Sequence, residues 1–99
     1  MITRFVKMSF MPQHVDQFKE IFYKSQKMIL DFEGCMKVDL MKDVNNEGVF
    51  FTISFWRSED DLTMYRQSYL FKSTWSKVKP LFSEKAEAWS LIRDNQDSI

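Results

Sequence analysis

The chain has 99 residues, 44% of them hydrophobic, with 14 basic and 14 acidic side chains that cancel, which suits one small globular domain rather than two. Neither sign forms a long block, so no nucleic-acid partner is expected, because counterion release needs a concentrated basic footprint. No apolar run approaches the roughly 20 residues that cross a bilayer, so no membrane partner is expected either.

Ile2 to Phe10 alternates as a first strand, with Ile2, Arg4, Val6, Met8 and Phe10 on one face and Thr3, Phe5, Lys7 and Ser9 on the other. Pro12 suits a helix start. Val15, Phe18, Phe22, Ser25, Ile29 and Phe32 follow at helical spacing, widened by Ile21 and Met28, and predict a helix to about Phe32 that ends near Gly34. Cys35 to Asp43 reads as a second strand, with Met36, Val38 and Leu40 opposite Lys37, Asp39 and Met41. Turn residues from Val44 to Gly48 predict a hairpin to a third strand, Val49 to Trp56. One face of that strand is wholly apolar (Phe51, Ile53, Phe55), and the other mixes Phe50, Thr52, Ser54 and Trp56.

Ser58 with Asp61 three residues on has the form of a capping box and predicts a second helix. The helical pattern breaks near Ser68, which would cap a second piece carrying Phe71, Trp75 and Val78. Pro80 disfavours helical geometry at Lys79 and predicts a stop there. Glu84 to Arg93 returns to alternation, with Trp89 and Leu91 on one side and Ala88 and Ile92 on the other. Residues 95–99 read as a polar, frayed tail behind a single domain of residues 1–94. The order β-α-β-β-α-β is the ferredoxin-like arrangement of the α+β class, an antiparallel sheet with helices on one face. Both faces of the first and third strands carry large apolar groups. A second copy covering the open face, to give a two-fold homodimer, is the simplest expectation.

Chemistry is narrowed by what is scarce. With two Gly there is no glycine-rich phosphate loop, and one Cys with one His cannot build a Cys/His zinc site. Neither a cofactor held by such a loop nor a Cys/His-bound metal is therefore expected. His14 reads as a solvated side chain and Cys35 as a small buried hydrophobe, the latter in keeping with a reducing cytoplasm. From the strand-like beginning neither a signal peptide nor a transit peptide is expected. Glu59, Asp60 and Asp61 complement the positive end of a helix. Ten Phe, three Trp, three Tyr and seven Met are more bulk than a thin core needs. The aromatic stripe through Tyr65 and Trp75 is either core or the wall of a pocket. Arg4 beside Val6 and Met8, and the hydroxyls of Thr52 and Ser54 beside Trp56, favour a pocket suited to a small aromatic molecule. In the alternative, Arg4 reaches to the sheet edge and the hydroxyls face water. Phe22 on the first helix would be a wall in the first case and core in the second.

Several segments, in order, resemble the antibiotic biosynthesis monooxygenase family over nearly the whole chain. They are Gly34-Cys35 opening the second strand, Phe51 and Trp56 in the third, Trp56-Arg57-Ser58 before the helix, and Tyr65-Arg66-Gln67-Ser68-Tyr69-Leu70-Phe71 with its Ser-x-x-Phe ending. The resemblance implies a homodimeric α+β barrel with one pocket per subunit between sheet and helices. It also implies, for some members, cofactor-free oxygenation of phenols or quinols by molecular oxygen. On that basis Arg4 is expected to stabilise an anion and Tyr65 to hydrogen-bond or relay a proton. Trp56, Phe71 and Trp75 would be walls, with Ser54 and Ser68 as polar contacts. The chain departs from the family pattern where many members have an acid (Ser54 here) or histidines (Tyr65 and Leu70 here). It also has Val6 and Trp75 where haem-degrading members carry Asn and His, which speaks against haem degradation. A non-catalytic dimer binding a small hydrophobic ligand or a protein is the other reading.

Overall fold

A computed structural model describes residues 1–94, so the reading of a frayed tail at 95–99 lies outside the described residues. The elements are β1 (Ile2–Ser9), α1 (Val15–Leu30), β2 (Cys35–Lys42), β3 (Val49–Trp56), α2 (Glu59–Arg66), α3 (Tyr69–Val78) and β4 (Glu87–Leu91). Short 3-10 turns, Pro12–His14 and Lys79–Leu81, precede α1 and follow α3. The sheet runs β2-β3-β1-β4 with every pair antiparallel, the ferredoxin-like α+β arrangement.

Register decides which strand faces meet. Arg4 pairs with Ser54, Val6 with Thr52 and Met8 with Phe50, so the mixed face of β3 lies beside the Arg4 face of β1, under the helices. Phe18, Phe22, Ser25 and Ile29 are the buried stripe of α1 on that face, and Ser25 is satisfied by the Ile21 carbonyl at 2.9 Å. One buried cluster gathers Met8, Phe10, Phe18, Phe22 and Phe50 with residues of α1, β2 and α3, and a smaller one holds Ile2, Trp56 and Leu62. Cys35 and Tyr65, each partly buried, pack against both clusters.

The second helix divides as expected. Ser58 accepts from the Asp61 amide at 3.1 Å to start α2, and Ser68 accepts from the Phe71 amide at 3.1 Å to start α3. Gly34, at φ +86, takes the left-handed conformation that releases the chain from α1, and a Cβ there would run into the Asp61 side chain.

Four local expectations need correction. Met28 is exposed, because it lies about a quarter turn from the buried stripe of Phe18, Phe22, Ser25 and Ile29 on α1. α1 ends at Leu30 rather than Phe32, and Phe32 turns in beside Trp56 at 6.4 Å between ring centroids. A register shift between Cys35 and Lys37 turns Met36 outward and sets Cys35 opposite Trp56 on the inner face. The α-helix does stop at Val78, yet Lys79 keeps helical angles (φ −53, ψ −42) as the start of the 3-10 turn, despite the proline after it.

Candidate functional site

Between the inner sheet face and the helices lies a cavity of about 300 Å³. β1 supplies Arg4, Val6 and Met8, and β3 supplies Thr52, Ser54 and Trp56. Phe18 and Phe22 of α1, with Phe71 and Trp75 of α3, form much of the wall opposite the sheet. Tyr65 and Arg66, the last residues of α2, close one side. Ala86, Glu87 and Ala88 line it along β4, where Ala88 and Ser90 are exposed although their pairing with Val6 and Arg4 turns them inward. The helices leave that edge uncovered, so the cavity opens along β4. Close packing would have removed a void of this size from a plain core.

The walls are aromatic and continuous. Tyr65 stacks on Trp56 (centroids 4.8 Å apart, planes at 28°) and meets Phe71 edge-on at 5.3 Å. Phe71 in turn stacks on Trp75 at 5.7 Å. Trp56 is fully buried, and its indole N–H donates to Ser54 Oγ at 2.9 Å. Ser54 therefore spends a lone pair on Trp56 and keeps its own O–H to donate.

Each polar side chain that faces the cavity can donate a hydrogen bond, the arginines as donors alone and the hydroxyls as donors or acceptors. Arg4 donates to Ser90 Oγ at 2.8 Å. Burial, with the nearby Arg66 charge, lowers its pKa from the ordinary arginine value. The Tyr65 phenol is pushed well above its ordinary pKa by burial first and by Cys35 second, so it stays protonated. Among the described residues no hydrogen bond engages the Tyr65, Thr52 or Thr74 hydroxyl. Glu87 is the acidic residue of the lining, and its pairing with Lys7 places its side chain on the opposite, open face.

The structure thus places Arg4, Met8, Phe22, Thr52, Ser54, Trp56, Tyr65, Phe71 and Trp75 around one cavity. Ser68 does not line it: its hydroxyl donates to the Tyr65 carbonyl at 2.6 Å while capping α3. Lining residues that the sequence does not single out include Thr74, Ala86 and Ala88. Thr74, one residue before Trp75, could have been found by extending the α3 stripe, whereas Ala86 has no signal of its own. His14 lies outside the cavity, with Nδ1 3.4 Å from the Leu81 carbonyl. Cys35 is half-buried, its thiol donating weakly to the Lys37 carbonyl and raised in pKa by burial. Among the described residues no group of three or more His, Cys, Asp or Glu is placed to hold a metal ion, and no helix is long and apolar enough to cross a membrane.

A ferredoxin-like sheet with a cavity under its helices defines a class of small α+β modules able to enclose one small molecule. Within that class the sequence is specific: the antibiotic biosynthesis monooxygenase profile matches residues 1–76, and the chain belongs to that family. Its fold is similar to the crystal structure of a conserved protein from Methanosarcina mazei Go1, with TM-score 0.89 and 19% identity over 95% of this chain and 94% of that one. It is also similar to a crystal structure of an antibiotic biosynthesis monooxygenase, with TM-score 0.88 and 14% identity over 95% and 99% of the two chains. At such identities the likeness concerns the fold alone. A curated relative, "Putative heme-binding protein VNG_2021C" of Halobacterium salinarum, is 33% identical over 63 residues, which are 64% of this chain and 13% of that protein's length.

Proposed function

We propose that the chain is a cofactor-independent monooxygenase acting on a small aromatic of the quinol or phenol type. The observation that carries this reading is the pairing of aromatic walls with inward polar side chains that can all donate, two arginines and several hydroxyls. Such a site favours an electron-rich aromatic as its anion. The Arg4 guanidinium, half out of water, lowers the energy of a phenolate more than that of the phenol. The protonated Tyr65 and the free Ser54 O–H can donate to the same oxygen. The phenolate passes one electron to oxygen, the radical pair joins at carbon, and loss of water leaves the quinone. Phenol and O2 thus become quinone and water without an external reductant. Tyr65 acts as a hydrogen-bond donor rather than a base, because burial holds its proton.

An oxygen electrode with a panel of phenols and quinols tests this. Uptake above the uncatalysed rate, reduced by Arg4→Gln, is expected; background rates with every substrate would leave a ligand-binding module. That second reading is favoured by Ser54, Tyr65 and Leu70 standing where many members of the family carry acid or histidine.

Haem fits the site poorly. The chain's single histidine, His14, is outside the cavity. Of the lining side chains that ligate haem iron elsewhere, Tyr65 would have to lose the proton that burial retains, which leaves the thioether of Met8. Haemin titration is expected to leave the Soret band where free haemin has it.

A further inference from the structure

Oxygenation of a phenol draws on the charge of Arg4 and leaves that of Arg66 unused. Arg4 and Arg66 both line the cavity, and among the described residues neither forms an ion pair with a carboxylate. Arg57 shows the contrast a few residues away. It donates to both carboxylate oxygens of Asp61, at 2.8 and 3.0 Å, and to Glu33 at 3.2 Å. Arg4 has a neutral hydroxyl, Ser90, as its partner, and Arg66 at the end of α2 has no side-chain partner among the described residues. Two guanidinium groups close enough to influence each other, one of them half-desolvated, carry a repulsive cost that an anion between them would remove. A phenolate oxygen meets one of these forks and leaves the other unmatched, whereas a carboxylate presents two oxygens to a planar fork.

Resting on the aromatic-ligand reading, we propose that the cavity's ligand is a small aromatic acid, its ring against the continuous Trp56–Tyr65–Phe71–Trp75 wall and its carboxylate held at the mouth by Arg66 with Arg4. Arg66 is then a specificity-determining residue: it selects aromatic rings that carry a carboxylate from those that do not. Its exposure at the rim suits first capture of an anion arriving along the open β4 edge.

Calorimetric titration under nitrogen with 1-hydroxy-2-naphthoate and 1-naphthol, two probes that differ by the carboxylate, tests the assignment. The acid is expected to bind at least about tenfold more tightly, as one charge-assisted contact implies. Arg66→Gln should weaken the acid by about tenfold and the naphthol by less than about twofold, and Arg66→Lys should fall between. Added salt should weaken the acid selectively. Equal affinities, tighter binding of 1-naphthol, equal losses for both probes in Arg66→Gln, or no binding of either probe would each overturn the proposal. Melting curves of the variants separate a lost contact from a lost fold. Failure here is distinct from failure of the oxygenation reading. Selective acid binding without oxygen uptake removes the chemistry and keeps the ligand class, whereas oxygen uptake with no preference for the acid does the reverse.

Discussion

The phenol of Tyr65 lies against the indole of Trp56 and edge-on to the rings of Phe32 and Phe71. This packing, with little water around the hydroxyl, explains why its pKa rises from the ordinary 10.0. The sign of the linked stability follows. Below pH 10 the phenol is neutral in both folded and unfolded chains. Above that value the unfolded chain ionises first, so stability present at neutral pH is lost as pH rises toward the folded-state pKa. Denaturant midpoints between pH 9 and 11.5 should therefore fall less in Tyr65→Phe than in the parent protein. The same variant should slow oxygen uptake by roughly 10- to 100-fold, the loss expected when one hydrogen bond to a charged oxygen disappears. Unchanged uptake would remove Tyr65 from the mechanism. With His14 away from the cavity, His14→Ala should leave the pH–rate profile where it is, governed by the substrate's own ionisation.

At the scale of elements, two serine caps look alike and differ in consequence. Ser58 starts α2 and also donates to the Asp61 carboxylate at 3.0 Å, within a surface cluster that includes Arg57. Ser68 joins the end of α2 to the start of α3, and α3 carries Phe71 and Trp75 to the cavity. Replacing either serine with alanine should cost about 1 kcal/mol in denaturant unfolding. Ser68→Ala alone should also weaken an aromatic ligand in calorimetry, because it loosens the angle between the pieces of the wall. These caps were legible in the sequence because a capping hydroxyl and its amide lie within three residues. The strand faces were legible because alternation is local. The shift at Cys35–Lys37 was not, since it exists only in the pairing of β2 with β3. Ser68 was assigned to the ligand because composition cannot tell a hydroxyl spent on backbone from one left free. The cavity residues on β1, β3 and α3 could be named because each stood out against its own face: an arginine among aliphatics, hydroxyls beside a tryptophan, paired aromatics. Ala86 and Ala88 line the mouth by position rather than chemistry, and nothing in their identity marks them.

For the molecule as a whole, the sheet has a second face, and register sets it out in rows. Ile53 lies between Asp39 and Phe5, and Phe5 pairs on with Trp89; Phe55 lies between Lys37 and Thr3, and Thr3 pairs on with Leu91. Phe51 completes the apolar centre between Met41 and Lys7, and Trp89 and Leu91 are 41% and 48% exposed. A continuous apolar face of this kind on a small protein marks an interface. Charges frame it at two corners in pairs of opposite sign, Lys7 beside Glu87 and Lys37 beside Asp39, the latter pair 3.5 Å apart. Each corner pair is neutral in itself, so the apolar face meets its own two-fold copy without like-charge repulsion, and we propose that the covering partner is a second copy of this chain. Sedimentation velocity at micromolar concentration should show a dimer. Phe5→Asp, which sets a carboxylate in the middle row, should shift the protein to monomer. The cavity lies on the other face of the sheet, so a folded Phe5→Asp monomer should still bind the aromatic probes, weakened only as far as the lost partner loosens β4 at the mouth. A parent protein that sediments as a monomer would refute the pairing. A Phe5→Asp protein that remains a dimer would move the interface off this face, and the aromatic rows would then need another occupant.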